Sequence, residues 1–541
     1  MQRKNFIICL KLFLLCSIPL NSFCQDFLGF ANSQFAGVDG INLNPAFIVN
    51  NPRKWDVTIV GLNFALANNY IGLQKKTFEH SGGLVSGNYP AFSDNDFSNH
   101  YLTEKIGSKT TSVFLGINAE LFSFMITNPK KMDAFGFTCR MRTYVNIDGV
   151  DPTLSHMLFT GIKDSTLYRT NLVSENISAQ AMIWNEYGIT YGKTISETKT
   201  ERLNVAGRIK LLQGLYAMYL YIDNISYNFN LKDSIVVISS LVHYGHSTNL
   251  EFNTNAIGFG FGSIPGIGFD IGATYEFRPL NTIHSKMASQ SVRNPYAETY
   301  KYRIGFSVLD IGGIKFLKPQ NARDFTAEIT NLNFNSLQGS GEQPLQATDD
   351  TLKKKFSMHS NDDKFRMNLP TTISLQGDYN FGKNVYVNST MNYAFQFKNN
   401  EDKIHEVTTF SITPRWDWKW IGAYLPFSIN KFSSFRTGLS LRLGPLIIGT
   451  SDLMPFIAKK DIYGTDFHFL LKVPHIQFKK KIKKPKCRFS INKEETKDKY
   501  YKKTRQIKKS NRILPQVKIF KNKRKHIDNS KNRGQIIYFK L

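Results

Sequence analysis

Residues 371–397 read TTISLQGDYNFGKNVYVNSTMNYAFQF, two runs of strict period-two alternation joined at Gly382-Lys383-Asn384. One face carries Ile373, Leu375, Tyr379 and Phe381, then Val385, Val387, Met391, Tyr393, Phe395 and Phe397. The other carries Ser374, Gln376, Asp378 and Asn380, then Asn388, Thr390, Asn392 and Gln396. Successive side chains of a strand point to opposite faces, so each run makes a strand with one apolar and one polar side. About ten residues is also the length a tilted strand needs to cross the hydrocarbon of a bilayer. A soluble sheet alternates too, but here the pattern recurs down the chain behind an export signal. The expected fold is therefore all-β, a transmembrane antiparallel barrel.

The export signal is residues 1–25. Arg3 and Lys4 form its basic start, and 6–20 is an apolar run interrupted by Lys11. Ser22-Phe23-Cys24 then places small residues at −3 and −1 for cleavage near Gln25. A retained anchor is disfavoured by the short run and by Pro19, and lipidation at Cys24 by the poor match of the residues before it.

After the signal, no stretch is long and apolar enough for a membrane helix, which excludes a helical membrane protein but not a barrel. The chain has 43 Phe in 541 residues and 13% aromatics, an excess that suits a lipid-facing band with aromatic girdles. Of the five cysteines, Cys9, Cys16 and Cys24 fall in the signal, so Cys139 and Cys487 alone make no disulfide scaffold. The net charge of +27 is concentrated at the end of the chain: residues 479–541 carry 24 Lys/Arg against 4 Asp/Glu. The remainder is a nearly balanced body.

Residues 26–52, DFLGFANSQFAGVDGINLNPAFIVNNP, do not alternate and suit short helical or looped structure around Asn44-Pro45-Ala46. Alternating runs then fall at 54–67, 112–127, 134–146, 178–192, 203–216, 217–230, 235–246, 266–277 and 300–311. Beyond the two runs of 371–397 they continue at 405–415, 417–427, 434–450 and 466–473. About 14 barrel strands are expected, within a range of 12–16, over a barrel region of 53–478. Long polar segments at 74–111, 147–177, 280–299 and 317–370 suit the outer loops of such a barrel. Opposite the apolar face, Glu120, Arg140, Arg142, Asp270, Glu276, Asp378, Arg436, Arg442, His468 and Lys472 would point inward. Their mixed signs suggest an interior held by ion pairs instead of a lumen selective for one sign.

Several stretches carry a resemblance. DFLGFANSQFAGVDGINLNPA at 26–46, GIGFDIGATYEF at 266–277, GFSVLDIGG at 305–313, Asn368-Leu369-Pro370-Thr371 and Leu443-Gly444-Pro445 through Ser451-Asp452-Leu453 are similar to an uncharacterised family of Bacteroidota outer-membrane barrels. A wider likeness is to FadL-type transporters and to barrels of the type IX secretion system. In those, an Ala-Gly stretch followed by Asn-Pro-Ala opens a hatch lodged in the lumen. Ala36-Gly37 and Asn44-Pro45-Ala46 match that pattern, which implies that residues 26–52 form a luminal plug. Gly464, Phe467 and Phe469 resemble the terminal signal read by the barrel-assembly machinery, although here a basic tail follows.

The tail, with KKKIKKPK at 479–486 and KNKRK at 521–525, is expected to be disordered. Charge alone would let it bind anionic headgroups or acidic polymers, but the location argues against nucleic acid. No catalytic constellation is present: there is no His-Glu-x-x-His, no Cys-x-x-Cys and no Gly-Lys-Ser/Thr loop. Gly258 to Gly262 lacks dinucleotide-binding spacing, and Asn361-Asp362-Asp363 lacks the rest of a calcium loop. The expectation is a non-enzymatic protein without metal or cofactor, set in outer-membrane lipid. Passage of a hydrophobic small molecule leads, with a scaffold or accessory role beside an envelope protein as the alternative and a lipid hydrolase third.

Overall fold

The computed structural model describes residues 27–474, apart from 50, 52, 76–100, 108, 129–130, 161–169, 232–233, 249–262, 280–299, 319–324, 334–353, 355–362, 396–403, 431, 433–434 and 454–460. The segments 1–25 and 479–541 lie outside the described residues, as do Asn361 and Asp362.

Fourteen antiparallel strands close into a ring. Closure is made by Trp55–Asn68, which pairs on one side with Gly464–Lys472 and on the other with Thr111–Glu120 and Ser123–Asn128. Round the ring then come Asp133–Val150, Leu172–Glu197, Glu201–Leu231, Ser263–Phe277 and Tyr302–Leu317. The next is Lys364–Asn368 continued by Thr372–Gly382, then Val385–Ala394 and Thr409–Asp417. Ile421–Tyr424 with Phe427–Ile429, Arg436–Thr437 with Leu439–Leu443, and Leu446–Thr450 complete it. Two of the composite strands break at proline, Pro370 and Pro426, because proline has no N–H to give to a ladder.

Burial is inverted relative to a water-soluble protein. Ile209 and Phe381 are each 61% exposed, and Ile189, Ile267, Phe269, Ile304 and Leu375 also stand outside. All ten charged residues expected to face inward are buried, from Glu120 and Asp270 to Lys472. With the ring closed on itself and an apolar exterior, this surface suits lipid.

One end of the ring has tight turns. At Gly382-Lys383-Asn384 all three residues have positive φ, and Lys383-Asn384 form the two-residue turn whose twist matches a hairpin. Gly444 also turns with φ +61°. Trp416, Trp418 and Trp420 are exposed at this end, where an aromatic girdle would meet the headgroups.

Five expectations need correcting. The run 434–450 is two strands of the ring, Leu439–Leu443 and Leu446–Thr450, paired across the turn at Gly444. The runs 203–216 and 217–230 are one strand, Glu201–Leu231. The polar segment 147–177 contains strand ends and the helix Pro152–Thr160. Segment 317–370 contains Phe325–Asn333, which pairs with Ser234–His246. These two strands extend the sheet from Glu201–Leu231 and are not part of the ring. Finally, Phe277 pairs with both Glu201 and Tyr302, so the connection 280–299 leaves from the tight-turn end, not from the end bearing the other long connections.

Candidate functional site

Residues 27–49 lie inside the ring as tight turns and two short 3-10 helices, Gly37–Asn42 and Pro45–Ile48. Nearly all of them are buried, with Phe30, Val38, Ile41, Asn44, Ala46 and Ile48 fully so. Asn44 caps the second helix through Oδ1, which accepts from the Ala46 amide at 2.9 Å, with Pro45 at a position that needs no donor. Its Nδ2 donates to Gln376 Oε1 at 2.9 Å and toward the Ala273 and Phe306 carbonyls at 3.1 and 3.2 Å. One asparagine thereby joins the inner segment to three strands. The wall makes room for it with Gly272 and Gly305, where a Cβ would strike Asn44 or Gln376.

Other walls hold the segment as well. Arg303 and Arg415 both donate to the Asn32 carbonyl, at 2.6 and 2.8 Å. Ser33 donates to Asp417 at 2.8 Å, and Ser307 to the Leu43 carbonyl at 2.7 Å. Asn42 donates to Glu120 at 2.8 Å and accepts from Arg208 at 2.7 Å. Lys472 donates to the Ala36 carbonyl and pairs with Asp39 and Asp56, each at 2.6 Å. Burial pushes the Asp39 carboxyl above its usual range; Lys472 opposes the shift and Asp56 adds to it. The residues Ala36, Gly37, Asn44, Pro45 and Ala46 singled out from sequence are thus all buried within the ring.

Next to the segment, a belt of ion pairs links neighbouring strands and also crosses the lumen between strands that are not neighbours. Arg140 binds Glu120 at 2.8 Å and Glu186 at 3.3 Å. Arg142 binds Asp310 at 2.8 Å, and Arg208 binds Asp270 at 2.6 Å. Lys210, fully buried, bridges Asp270 and Asp310. Buried charges persist only when paired in this way.

Beyond the belt the lumen changes character. Trp184, Leu212, Ile314, Phe316, Phe365, Met367 and Leu369 form one buried apolar cluster with Phe114 and Tyr144. Phe316 stacks on Phe365 at 5.5 Å, and Tyr219 meets Phe365 edge-on at 5.3 Å. Sequence reasoning placed charges on the inner wall but missed this layer. The only signal would have been the inward parity of Leu212, Phe316 and Met367.

At the end of the ring, Gly464 opens the last strand, Phe467 is exposed on the outer face and Phe469 is partly so. Ser440 and His468 come within 2.8 Å, but both are buried, with the Phe27 ring against the imidazole. Among the described residues no group of three or more His, Cys, Asp or Glu could hold a metal ion.

The chain is similar in structure to the toluene transporter TbuX of Ralstonia pickettii, with 9% identity, a TM-score of 0.35, and 81% of this chain and 92% of that one covered. For a FadL homologue of Pseudomonas aeruginosa the values are 9%, 0.38, 84% and 99%. For the toluene transporter TodX of Pseudomonas putida they are 8%, 0.32, 81% and 95%. No curated protein matches the sequence. Residues 45–451, from the first residue of the second short helix through most of the ring, match the model of a family of unknown function, DUF5723, and the chain belongs to that family.

Proposed function

We propose that this protein is an outer-membrane barrel that passes a hydrophobic small molecule without chemistry, with residues 26–52 as its plug. Its location would be the outer membrane of a Gram-negative, Bacteroidota-type bacterium, after signal cleavage near Gln25. The apolar, lipid-suited exterior supports the location. The observation that carries the passage reading is the aromatic layer inside the lumen. A water-filled pore has a polar lining, whereas here Trp184, Phe316 and Phe365 pack into a buried apolar layer inside the ring, which an apolar solute would part at less cost than an ion.

A second reading rests on a different observation. Leu172–Glu197 and Glu201–Leu231 have 26 and 31 residues, far beyond the roughly ten that cross a bilayer. With Ser234–His246 and Phe325–Asn333 they build a sheet beyond the ring, a surface on which an envelope partner could assemble. Native mass spectrometry of the protein gently extracted from its own membrane separates the two readings. A reproducible small apolar ligand supports passage. A stoichiometric protein partner without such a ligand overturns passage in favour of the accessory role.

A further inference from the structure

Residues 404–408 precede the strand Thr409–Asp417, yet they lie inside the barrel: Ile404, Val407 and Thr408 are buried. Counted round the ring of 14 from Trp55–Asn68, Asp133–Val150 is third and Thr409–Asp417 tenth, so they stand on opposite walls. The short segment reaches that far wall. Asn146 pairs with both backbone groups of His405, its Oδ1 accepting from the His405 amide at 3.1 Å and its Nδ2 donating to the His405 carbonyl at 3.1 Å. His405 Nε2 meets Asp148 Oδ2 at 2.8 Å. Glu406 accepts from Tyr144 and lies 3.3 Å from Arg142. On the near side, the Ala394 amide donates to Thr408 Oγ1 at 2.9 Å. Ile404 and Val407 belong to the same apolar cluster as Tyr144 and Trp184.

Between this strap and the N-terminal segment lies a cavity of about 50 Å³, with Phe27, Asn42 and Leu43 on one side and Glu406 and Val407 on the other. A cavity needs about 10–15 Å³ per water, and one that takes benzene is roughly 150 Å³. The space therefore has room for only a few waters and is too small for an apolar ring. Removing the N-terminal segment alone would leave the strap across the lumen.

We propose that residues 404–408 are a second closure, latched across the diameter by His405–Asp148, Asn146 and Glu406–Arg142, so that the lumen is shut from two directions and a small apolar solute passes only when both closures yield. The proposal rests on reading the N-terminal segment as a plug. Latching by polar contacts, with only two apolar anchors, makes the strap separable from the wall. An apolar solute packing against Tyr144 and Trp184 would compete with Ile404 and Val407 for that surface.

The test is ion conductance of the purified chain in planar bilayers, which requires no transported molecule. Loss of ligand passage with both closures intact would count against the proposed function alone. In protein lacking residues 36–46, the strap is expected to keep openings brief and rare. Adding His405→Asp sets two carboxylates against each other and should raise open probability at least tenfold. Adding Asp148→His as well recreates the pair in reverse and should restore closure. A large steady pore after the deletion alone, indifferent to both substitutions, overturns the proposal.

If a variant does not give a heat-modifiable barrel, thiol labelling of full-length Val407→Cys, with Cys139 and Cys487 replaced by Ser, decides instead. Protection that falls about tenfold on adding His405→Asp supports the latch. Equal labelling rates overturn it.

Discussion

A Cβ on Gly37 would overlap the carboxylate of Asp56, and Gly37 holds φ at +60°, a conformation that disfavours any side chain. The same carboxylate accepts from the Val38 amide at 3.0 Å. The first strand of the ring and the inner segment are therefore fitted to each other at a single glycine. Gly37→Ala is expected to cost roughly 1–2 kcal/mol from the backbone alone, before the overlap is counted. The inner segment should loosen while the ring stays closed. Limited proteolysis and heat-modifiable gel migration check this: faster cleavage before residue 50 with unchanged migration is expected.

Asn44 has two separable duties. Asn44→Asp keeps the cap on the Ala46 amide but loses the donor to Gln376 and to the Ala273 and Phe306 carbonyls. Asn44→Ala loses both, and a lost cap costs about 1 kcal/mol by itself. Asp in this place would also bring a buried carboxylate against acceptors. Both variants should unseat the segment, with Asp no better than Ala. A protein with Asn44→Asp as protease-resistant as the wild type would show that the cap alone matters.

Lys472 holds two carboxylates, Asp39 of the inner segment and Asp56 of the first strand. Lys472→Met would leave both buried without their shared cation, a loss of about 3–5 kcal/mol where a buried pair is broken. Asp39→Asn combined with Lys472→Met should recover part of it, because fewer charges remain unpaired. The temperature at which the barrel loses its compact gel migration reads both effects. No drop for Lys472→Met would remove the pair from any account of stability.

The exterior makes its own prediction. Ile209→Arg should cost about 2–4 kcal/mol for a charge near the bilayer midplane, whereas Glu175→Arg, on the part of Leu172–Glu197 beyond the ring's crossing length, should cost little. Urea titration of the protein folded into lipid vesicles measures both. Equal tolerance at the two positions would argue that the apolar band does not face lipid.

Truncation after Phe478 is expected to leave folding into vesicles intact, while Phe467→Ala with Phe469→Ala should slow assembly in cells more than folding in vitro. The contrast between the two settings is the readout, since an aromatic pair serving only packing would affect both alike.

Alternation is a local property, and it was legible wherever a strand kept one parity. Ser374, Gln376 and Asp378 were assigned inward from sequence and are buried, as are Arg140, Arg142 and Lys472. The roughly 14 strands follow from the same pattern, and the ring has 14. The pattern misled where the backbone changed parity. In Glu201–Leu231, Arg208, Lys210 and Leu212 face inward, then Ala217, Tyr219 and Tyr221 do. The switch falls at an irregularity where Trp184 pairs with Gly214 but Ile183 with Tyr216, so one long strand looked like two.

What the sequence determined by itself was the class of fold and the facing of its strands, because period-two patterning needs only neighbouring residues and a one-residue slip would invert every side chain. Tertiary structure alone decided which distant groups meet. Arg142 finds Glu406 across the lumen, Asn44 finds Gln376, and residues 404–408 reach Asn146 on the opposite wall. Those encounters depend on ring closure and strand order, which place residues hundreds of positions apart within hydrogen-bonding distance, and no local pattern encodes them.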